Sequence, residues 1–432
     1  MTSSLHRNKK AVSLAAALFL ILGAACFGQA GAQEASLRTF RLPLPLFKAD
    51  SAWNQRADQA AVLPESRTMI QTLYRTLLGD RTGLRPSGYG MENPWPFMFV
   101  NYDEYSVPIW RSGSAMSPIT LVDYNGLPGG VTDKFTLNAD GTINGPVPAG
   151  PVRPSGPQDI SADGHLILFD PATGLMYDFW QVTNARDSDG VSLGGGRVGS
   201  SIYAVGAADY FRADGSGANP VGYHSAAATG VPLIAGLITP EDIESGTIAH
   251  ALACAVPGLR NTNASDPSEP FSSDYYYPAA TTEGEYYNTN PLSLAAGQRL
   301  RLKPTLLDDE DRLLDETTLA PITGMFLQAL RTYGLYLRDN AAGFTFYAED
   351  IHSAPLNLSL TEVNRLAGRA EGTALEDGKT KWRILMEALN MDLERIPLAS
   401  GSWEEGQDPA RAVMETSNFE VVAPADIPSD YR

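Results

Sequence analysis

Apolar positions recur with helical spacing most clearly between about 318 and 333. Ile322, Met325, Phe326, Ala329, Leu330 and Tyr333 follow one another at i, i+3, i+4 and i+7, and Gly334 comes next. That spacing predicts an amphipathic helix with one apolar stripe, stopped by the glycine. Met69, Leu73 and Leu77 predict a second helix over roughly 64–78. Thr239-Pro240-Glu241-Asp242 predicts the start of a short one that Gly246 ends, with Thr239 as its cap. Glu241 and Asp242 then serve the first turn, where the helix dipole stabilises them.

Elsewhere the pattern has period two. His165-Leu-Ile-Leu-Phe-Asp-Pro-Ala-Thr-Gly-Leu-Met-Tyr-Asp-Phe-Trp180 reads as a β-hairpin turning at Pro171–Gly174. Pairing Asp170 with Leu175 sets Phe169 opposite Met176, Ile167 opposite Asp178 and His165 opposite Trp180. Side chains alternate between faces. Leu166, Leu168, Tyr177 and Phe179 therefore form an apolar face suited to a core, and His165, Ile167, Asp178 and Trp180 the face away from it. A second hairpin is expected of Leu335–Asp339 and Phe344–Tyr347, and single strands of 247–256 and 300–303. Leu37–Phe47, interrupted by prolines, reads as an edge strand or an extended arm. Residues 359–395 read as helical and charged, and 400–432 as a weakly patterned acidic tail that folding can do without.

These elements predict a mainly β chain with flanking helices (α+β), a β-sandwich or jelly-roll-like body with a concave face. The expected division is 1–32 as leader, 33–355 as body and 356–432 as a helical, acidic extension. The 40 glycines and 30 prolines agree with a turn-rich β protein. Arg7, Lys9 and Lys10 precede an apolar run from Ala11 to Phe27, and Ala30-Gly31-Ala32 supplies a small-x-small site. This is the pattern of a secretory signal cleaved before Gln33. The protein is therefore expected outside the cell or in the periplasm, without a membrane once cleaved. Gly23-Ala24-Ala25-Cys26 lacks the branched apolar residue of a lipoprotein box.

A net charge of −18 and a pI near 4.7 argue against nucleic acid and anionic membranes as general partners. With the leader removed Cys254 stands alone, so no internal disulfide is expected, and its apolar neighbours predict a buried, inert thiol. There is no Cys/His metal spacing, no P-loop, no dinucleotide-binding glycine pattern and no Gly-x-Ser-x-Gly elbow. Neither metal nor cofactor is expected.

The candidate chemistry is that of glycans. Tyr89, Trp95, Phe97, Phe99, Tyr102, Tyr105 and Trp110 crowd residues 86–131, and Tyr275-Tyr276-Tyr277-Pro278 forms another ring-rich loop. Such rings fill a core or stack on sugars. Gly194-Gly195-Gly196-Arg197 allows close backbone approach and presents a guanidinium. His165, Asp178 and His250 are the candidate catalytic residues, and Trp180, Arg197 and Tyr277 the candidate substrate contacts. For His250, among Ile248, Leu252 and Cys254, a core histidine bonded to backbone is the competing role.

Five blocks carry a resemblance over roughly 47–350. They are Phe47-x-x-Asp50-Ser51-x-Trp53-Asn54; His165-Leu-x-x-x-Asp170-x-x-x-Gly174-x-x-Tyr177-Asp178-Phe179-Trp180; Ala228-Thr229-Gly230-Val231-Pro232-Leu233-x-x-Gly236-Leu237-Ile238; Ile243-x-x-Gly246-x-Ile248-x-His250-Ala251-Leu252; and Tyr333-Gly334 with Asp339 and Phe346-Tyr347. In these blocks the chain resembles a group of secreted bacterial proteins, common in soil actinobacteria, to which no function is attached. The resemblance implies Glu as the usual residue at Asp178, so the carboxylate here is one methylene shorter, and Trp or Tyr at Tyr277. His224 and everything beyond 355 fall outside it.

Three functions fit. The first is a secreted glycoside hydrolase with Asp178 as one carboxylate and Asp103, Glu104 or Glu244 as the other. The second is a polysaccharide lyase, in which His165, His250 or Tyr177 removes a proton beside a uronate and Arg197 or Gln181 neutralises its carboxylate. The third is a non-catalytic glycan-binding or envelope protein.

Overall fold

The predicted helical stripe finds its core. In the computed structural model a helix runs Pro321–Thr332, with Ile322, Phe326, Ala329 and Leu330 buried and Gly334 at φ +78° after it. A side chain at 334 would collide with the Leu300 carbonyl, so only glycine fits there. The structure describes residues 41–79, 97–103, 105–111, 116–121, 138–140, 142–146, 154–155, 163–180, 182–183, 203–204, 208–216, 226–262, 274–282, 288–402 and 408–426. The leader, Glu104, Gln181, Arg197 and His224 lie outside them.

In chain order the first strands are β1 (Met98–Asn101), β2 (Ile109–Arg111), β3 (Met116–Leu121), β4 (Thr142–Pro146), β5 (Leu166–Asp170), β6 (Leu175–Phe179), β7 (Val182–Thr183), β8 (Tyr203–Ala204) and β9 (Ala208–Arg212). The rest are β10 (Leu252–Val256), β11 (Arg299–Leu302), β12 (Leu335–Asn340), β13 (Phe344–Tyr347), β14 (Ala399–Ser402), β15 (Val413–Ser417) and β16 (Phe419–Val421). The helices are α1 (Ser66–Leu77), α2 (Pro240–Ser245), α3 (Pro321–Thr332), α4 (Leu360–Leu366) and α5 (Lys381–Leu393). A six-stranded sheet has the order β1-β13-β10-β12-β11-β16. Two four-stranded sheets follow β2-β5-β6-β9 and β4-β3-β8-β7, and β14 pairs with β15. At 26% strand and 22% helix the chain is compatible with the α+β class.

The helix α2 is built as its sequence predicts. Thr239 and Asp242 form a reciprocal capping box and Gly246 closes it in the left-handed conformation. The hairpin β5–β6 also keeps the expected register, with Asp170 opposite Leu175 and Ile167 opposite Asp178.

Two expectations give way. Strands β12 and β13 are consecutive but do not pair: β10 lies between them, parallel to β12 and antiparallel to β13. All five residues of β10, Leu-Ala-Cys-Ala-Val, are buried. A strand with no polar face is satisfied only in the interior of a sheet, where both edges and both faces are covered. It begins at Leu252 rather than at 247, because Ala251 N donates to the Trp53 carbonyl.

The chain beyond 355 is not a separable extension either. One buried cluster runs from Leu42 to Ala425 and takes in Val363, Trp382, Leu389 and Phe419. Strand β16 pairs antiparallel with β11, Phe419 packs edge-on against Phe344 at 5.1 Å, and Leu63 N and Ser66 Oγ both bond to Val421. The acidic surroundings of 400–432 conceal two apolar side chains, Phe419 and Val421, at sheet spacing.

A buried ion pair joins the sheets. Arg111, ending β2, bonds Glu349 through Nη1 at 2.6 Å and Nη2 at 2.8 Å, just after β13, and Nη2 also reaches Glu241 of α2. Burial pushes the Glu349 carboxyl up to about 7 against the pull of Arg111. The Trp382 indole of α5 donates to the Glu349 carbonyl. One residue thus ties both sheets and a helix together.

Two stability measurements check this packing. Leu330→Ala should lose about 2–5 kcal/mol and Phe419→Ala about 3–5 kcal/mol by urea denaturation. Truncation after Gly401 should lower Tm sharply, since it exposes the β11 edge; an unchanged Tm would contradict the role given to β16.

Candidate functional site

Hairpin β5–β6 carries the sequence-predicted pair, and it is turned inward. Ile167, Phe169 and Met176, which share a face with His165 and Asp178, belong to the main buried cluster, and Trp180 packs partly buried against it. His165 is 4% exposed and Asp178 is fully buried. The expectation that this face lies away from the core is corrected: alternation separates two faces but does not say which one meets the larger neighbour. Tyr177 stands on the opposite face, across from Leu168.

What covers the pair is the loop 226–238, buried along nearly its whole length. A buried loop must find partners for its peptide groups. The Leu233 N–H donates to Asp178 Oδ2 at 2.6 Å, and the Leu233 carbonyl accepts from Arg338 Nη1 at 2.9 Å. The Thr229 hydroxyl donates to the Arg338 carbonyl, while Thr229's own carbonyl accepts from Ala280 N. The loop bearing Tyr277 is thereby tied to Arg338's strand.

Arg338, on β12, is fully buried and lies over the Tyr347 ring, its Cζ 3.9 Å from the centroid. Its Nε and Nη2 have no hydrogen-bond partner among the described residues. His165 Nδ1 has none there either. Burial pushes the His165 imidazole down to about 4; the Arg338 guanidinium adds to the effect, while Asp163 and a backbone bond with Ala226 oppose it. The ring is therefore neutral at neutral pH. Burial also raises the Tyr347 phenol, which stays protonated. A neutral imidazole nitrogen, a cation with open donors and a protonated phenol can move a proton beside a bound anion.

The other candidates separate from this cluster. His250 Nε2 lies 3.3 Å from Asp242 Oδ2 and Nδ1 lies 2.9 Å from the Ala251 carbonyl. Burial opposes its protonation, but Asp242 and that carbonyl raise it above the ordinary histidine value. His250 thus braces the cap of α2. Asp103 bonds Arg383 at 2.7 Å, and Glu244 pairs with Arg41. Cys254 is buried and its thiol is raised by burial. Among the described residues no group of three or more His, Cys, Asp or Glu side chains is placed to hold a metal, and no helix is long and apolar enough to cross a membrane.

Sequence reasoning missed Arg338. Its signal was a lone cation inside the apolar run Leu335-Tyr336-Leu337. Such a residue must be held by something that loop 226–238, far away in the chain, provides.

No family model, curated protein or solved structure matches this chain.

The depressed imidazole makes stability depend on pH. Unfolded, His165 takes a proton near the ordinary histidine value of 6.5; folded, only near 4. Between these values the unfolded state binds the extra proton, so stability falls as pH falls through that window, by about 3 kcal/mol in all. His165→Gln should remove this component. Denaturant midpoints from pH 7.5 to 4 check it, and equal slopes in both proteins would mean that His165 titrates normally.

Proposed function

We propose that the chain is a secreted polysaccharide-cleaving enzyme that works by β-elimination beside a uronate. The observation that carries this is the buried neighbourhood of His165 and Arg338, where a neutral imidazole nitrogen and two nitrogens of one guanidinium have no partner among the described residues. Elimination needs a base for an acidified C–H and a cation on the carboxylate that acidifies it. Arg338 takes the uronate carboxylate in its planar fork. Nδ1 of His165 removes the C5 proton, the C4–O4 bond breaks, and a C4=C5 double bond forms. The imidazolium returns its proton to the departing O4, so the step balances without another reagent.

The base is weak until substrate arrives. Arg338 helps to depress His165; a carboxylate on Arg338 offsets that field and makes the imidazole more basic when it is needed. Asp178 is a positioning residue, since it holds the Leu233 N–H, and the carbonyl of the same residue aims Arg338. Trp180 and Tyr277, both partly buried, offer rings for neutral sugar faces; Arg197 lies outside the described residues. His250 has no step in this scheme.

Hydrolysis is less well supported, because Asp178 accepts from Leu233 and its possible partners Asp103 and Glu244 are engaged by arginines. The leader, the acidic composition and the resemblance to secreted actinobacterial proteins favour export. The approach of Leu168 to Gly145 favours the two four-stranded sheets as a small β-sandwich.

Incubation with polygalacturonate, alginate, hyaluronan, glucuronoxylan and neutral glucans tests the proposal. Ultraviolet absorbance of an unsaturated product is expected with uronate polymers alone. His165→Gln should abolish it, and Arg338→Lys should lower kcat/KM by about 10²–10³-fold, with Tm of each variant measured alongside. New reducing ends without that absorbance would indicate a hydrolase, and binding without cleavage a glycan-binding protein; either result sinks elimination.

A further inference from the structure

We infer that the seam where α1 meets β15 and β16 is a small-molecule site, and that its ligand is an amphipathic monocarboxylate, one carboxylate on a short apolar body. None of the residues that take part in the elimination lines it.

A recess of about 230 Å³ opens at that seam. Its walls come from three stretches far apart in sequence: residues 62–70 at the start of α1, Lys303 just after β11, and residues 414–420 of β15 and β16. Main-chain bonds pin the three together. Leu63 N donates to the Val421 carbonyl and Lys303 N to the Asn418 carbonyl, while Ser66 Oγ accepts from Val421 N. The recess therefore has a fixed shape before any ligand arrives, as small-molecule sites usually do.

The lining is divided between apolar surface and positive charge. Ile70, Met414 and Phe419 are buried and form an apolar floor, while Val62 is left exposed at the rim. Arg67 and Lys303 supply two cations. Nη2 of Arg67 donates to the Met414 carbonyl at 3.0 Å and the Glu415 carbonyl at 3.3 Å. Those bonds fix the side chain but leave its charge without a carboxylate among the described residues. Lys303 Nζ has neither an ion pair nor a hydrogen bond among them. The one carboxylate in the lining, Glu420, is taken by Arg301 at 3.0 Å. Two uncompensated cations thus share a recess in a chain whose net charge is −18. Charge-assisted bonds to them would hold a carboxylate, and the floor would bury the apolar remainder.

Size selects the body. A cavity of about 150 Å³ takes benzene, so this recess has room for about eight or nine non-hydrogen atoms. A six-carbon monocarboxylate fits that volume.

Isothermal titration calorimetry of the full chain with sodium hexanoate provides the test. Acetate, 1-hexanol and inorganic phosphate serve as probes that each lack the apolar body or the carboxylate. Hexanoate should bind one to one with a Kd of about 1 mM or below, and the other three at least about tenfold more weakly. Added salt should weaken hexanoate binding. Lys303→Met and Arg67→Met should each weaken it at least about tenfold, and Lys303→Arg should keep most of it, with the Tm of each free variant measured to show that it folds. Hexanoate should also raise the Tm of the parent protein, because it binds walls that only the folded chain assembles, and should raise that of Lys303→Met less. Absence of hexanoate binding, hexanol or phosphate binding as tightly as hexanoate, or an affinity indifferent to both methionine substitutions would overturn the inference.

Discussion

The interior of this protein is organised by the need to satisfy the backbone of one buried residue, Leu233. Loop 226–238 runs between the β5–β6 hairpin and the six-stranded sheet, where water cannot reach its backbone. At Leu233 the N–H meets the Asp178 carboxylate and the carbonyl meets the Arg338 guanidinium. A buried charge without a partner is costly. Here two opposite charges meet the two peptide groups that flank one residue, so each is solvated by a backbone dipole of the same short segment. The polar residues on two sheet faces are thus set by a segment that belongs to neither sheet.

That arrangement gives Arg338 a structural role beside the one proposed for it in binding a carboxylate. One of its nitrogens holds the loop, its Cζ lies over the Tyr347 ring, and Nε and Nη2 have no partner among the described residues. A guanidinium anchored in this way loses little entropy when it takes a ligand. The Arg111–Glu349 pair does comparable work at the junction of the two sheets, but there the fork is filled by protein. Replacing such pairs with apolar side chains is often neutral for stability. Their value here is that they dictate which strands meet.

Much of the local structure was legible in the sequence. The stripe of α3, the cap of α2 and the register of the β5–β6 hairpin each depend on neighbours a few residues apart, and each was read correctly. The inward turn of His165 and Asp178 was not, because alternation is blind to what lies opposite. The central slot of β10 escaped notice too, since it separates strands that a tight turn connects. Of the candidate site, the pairing that brings the imidazole and the carboxylate onto one face was legible in the hairpin alone. Arg338 was invisible as chemistry, because its partners come from residues 229–233 and 347 and only the fold brings them together.

The placing of β16 also bears on how the chain acquires its structure. Val62 bridges to Val422 and Leu63 bonds to Val421, so segments about 360 residues apart close one edge of the main sheet. A chain emerging from its N-terminal end cannot complete that sheet until residue 422 has cleared the exit. Until then β11 has an open edge and α1 lacks the surface it covers. Pairings this distant in sequence fold slowly and leave sticky intermediates. The last strand thus acts as a timer on the first helix, which gains its covering surface only when the chain is all but complete.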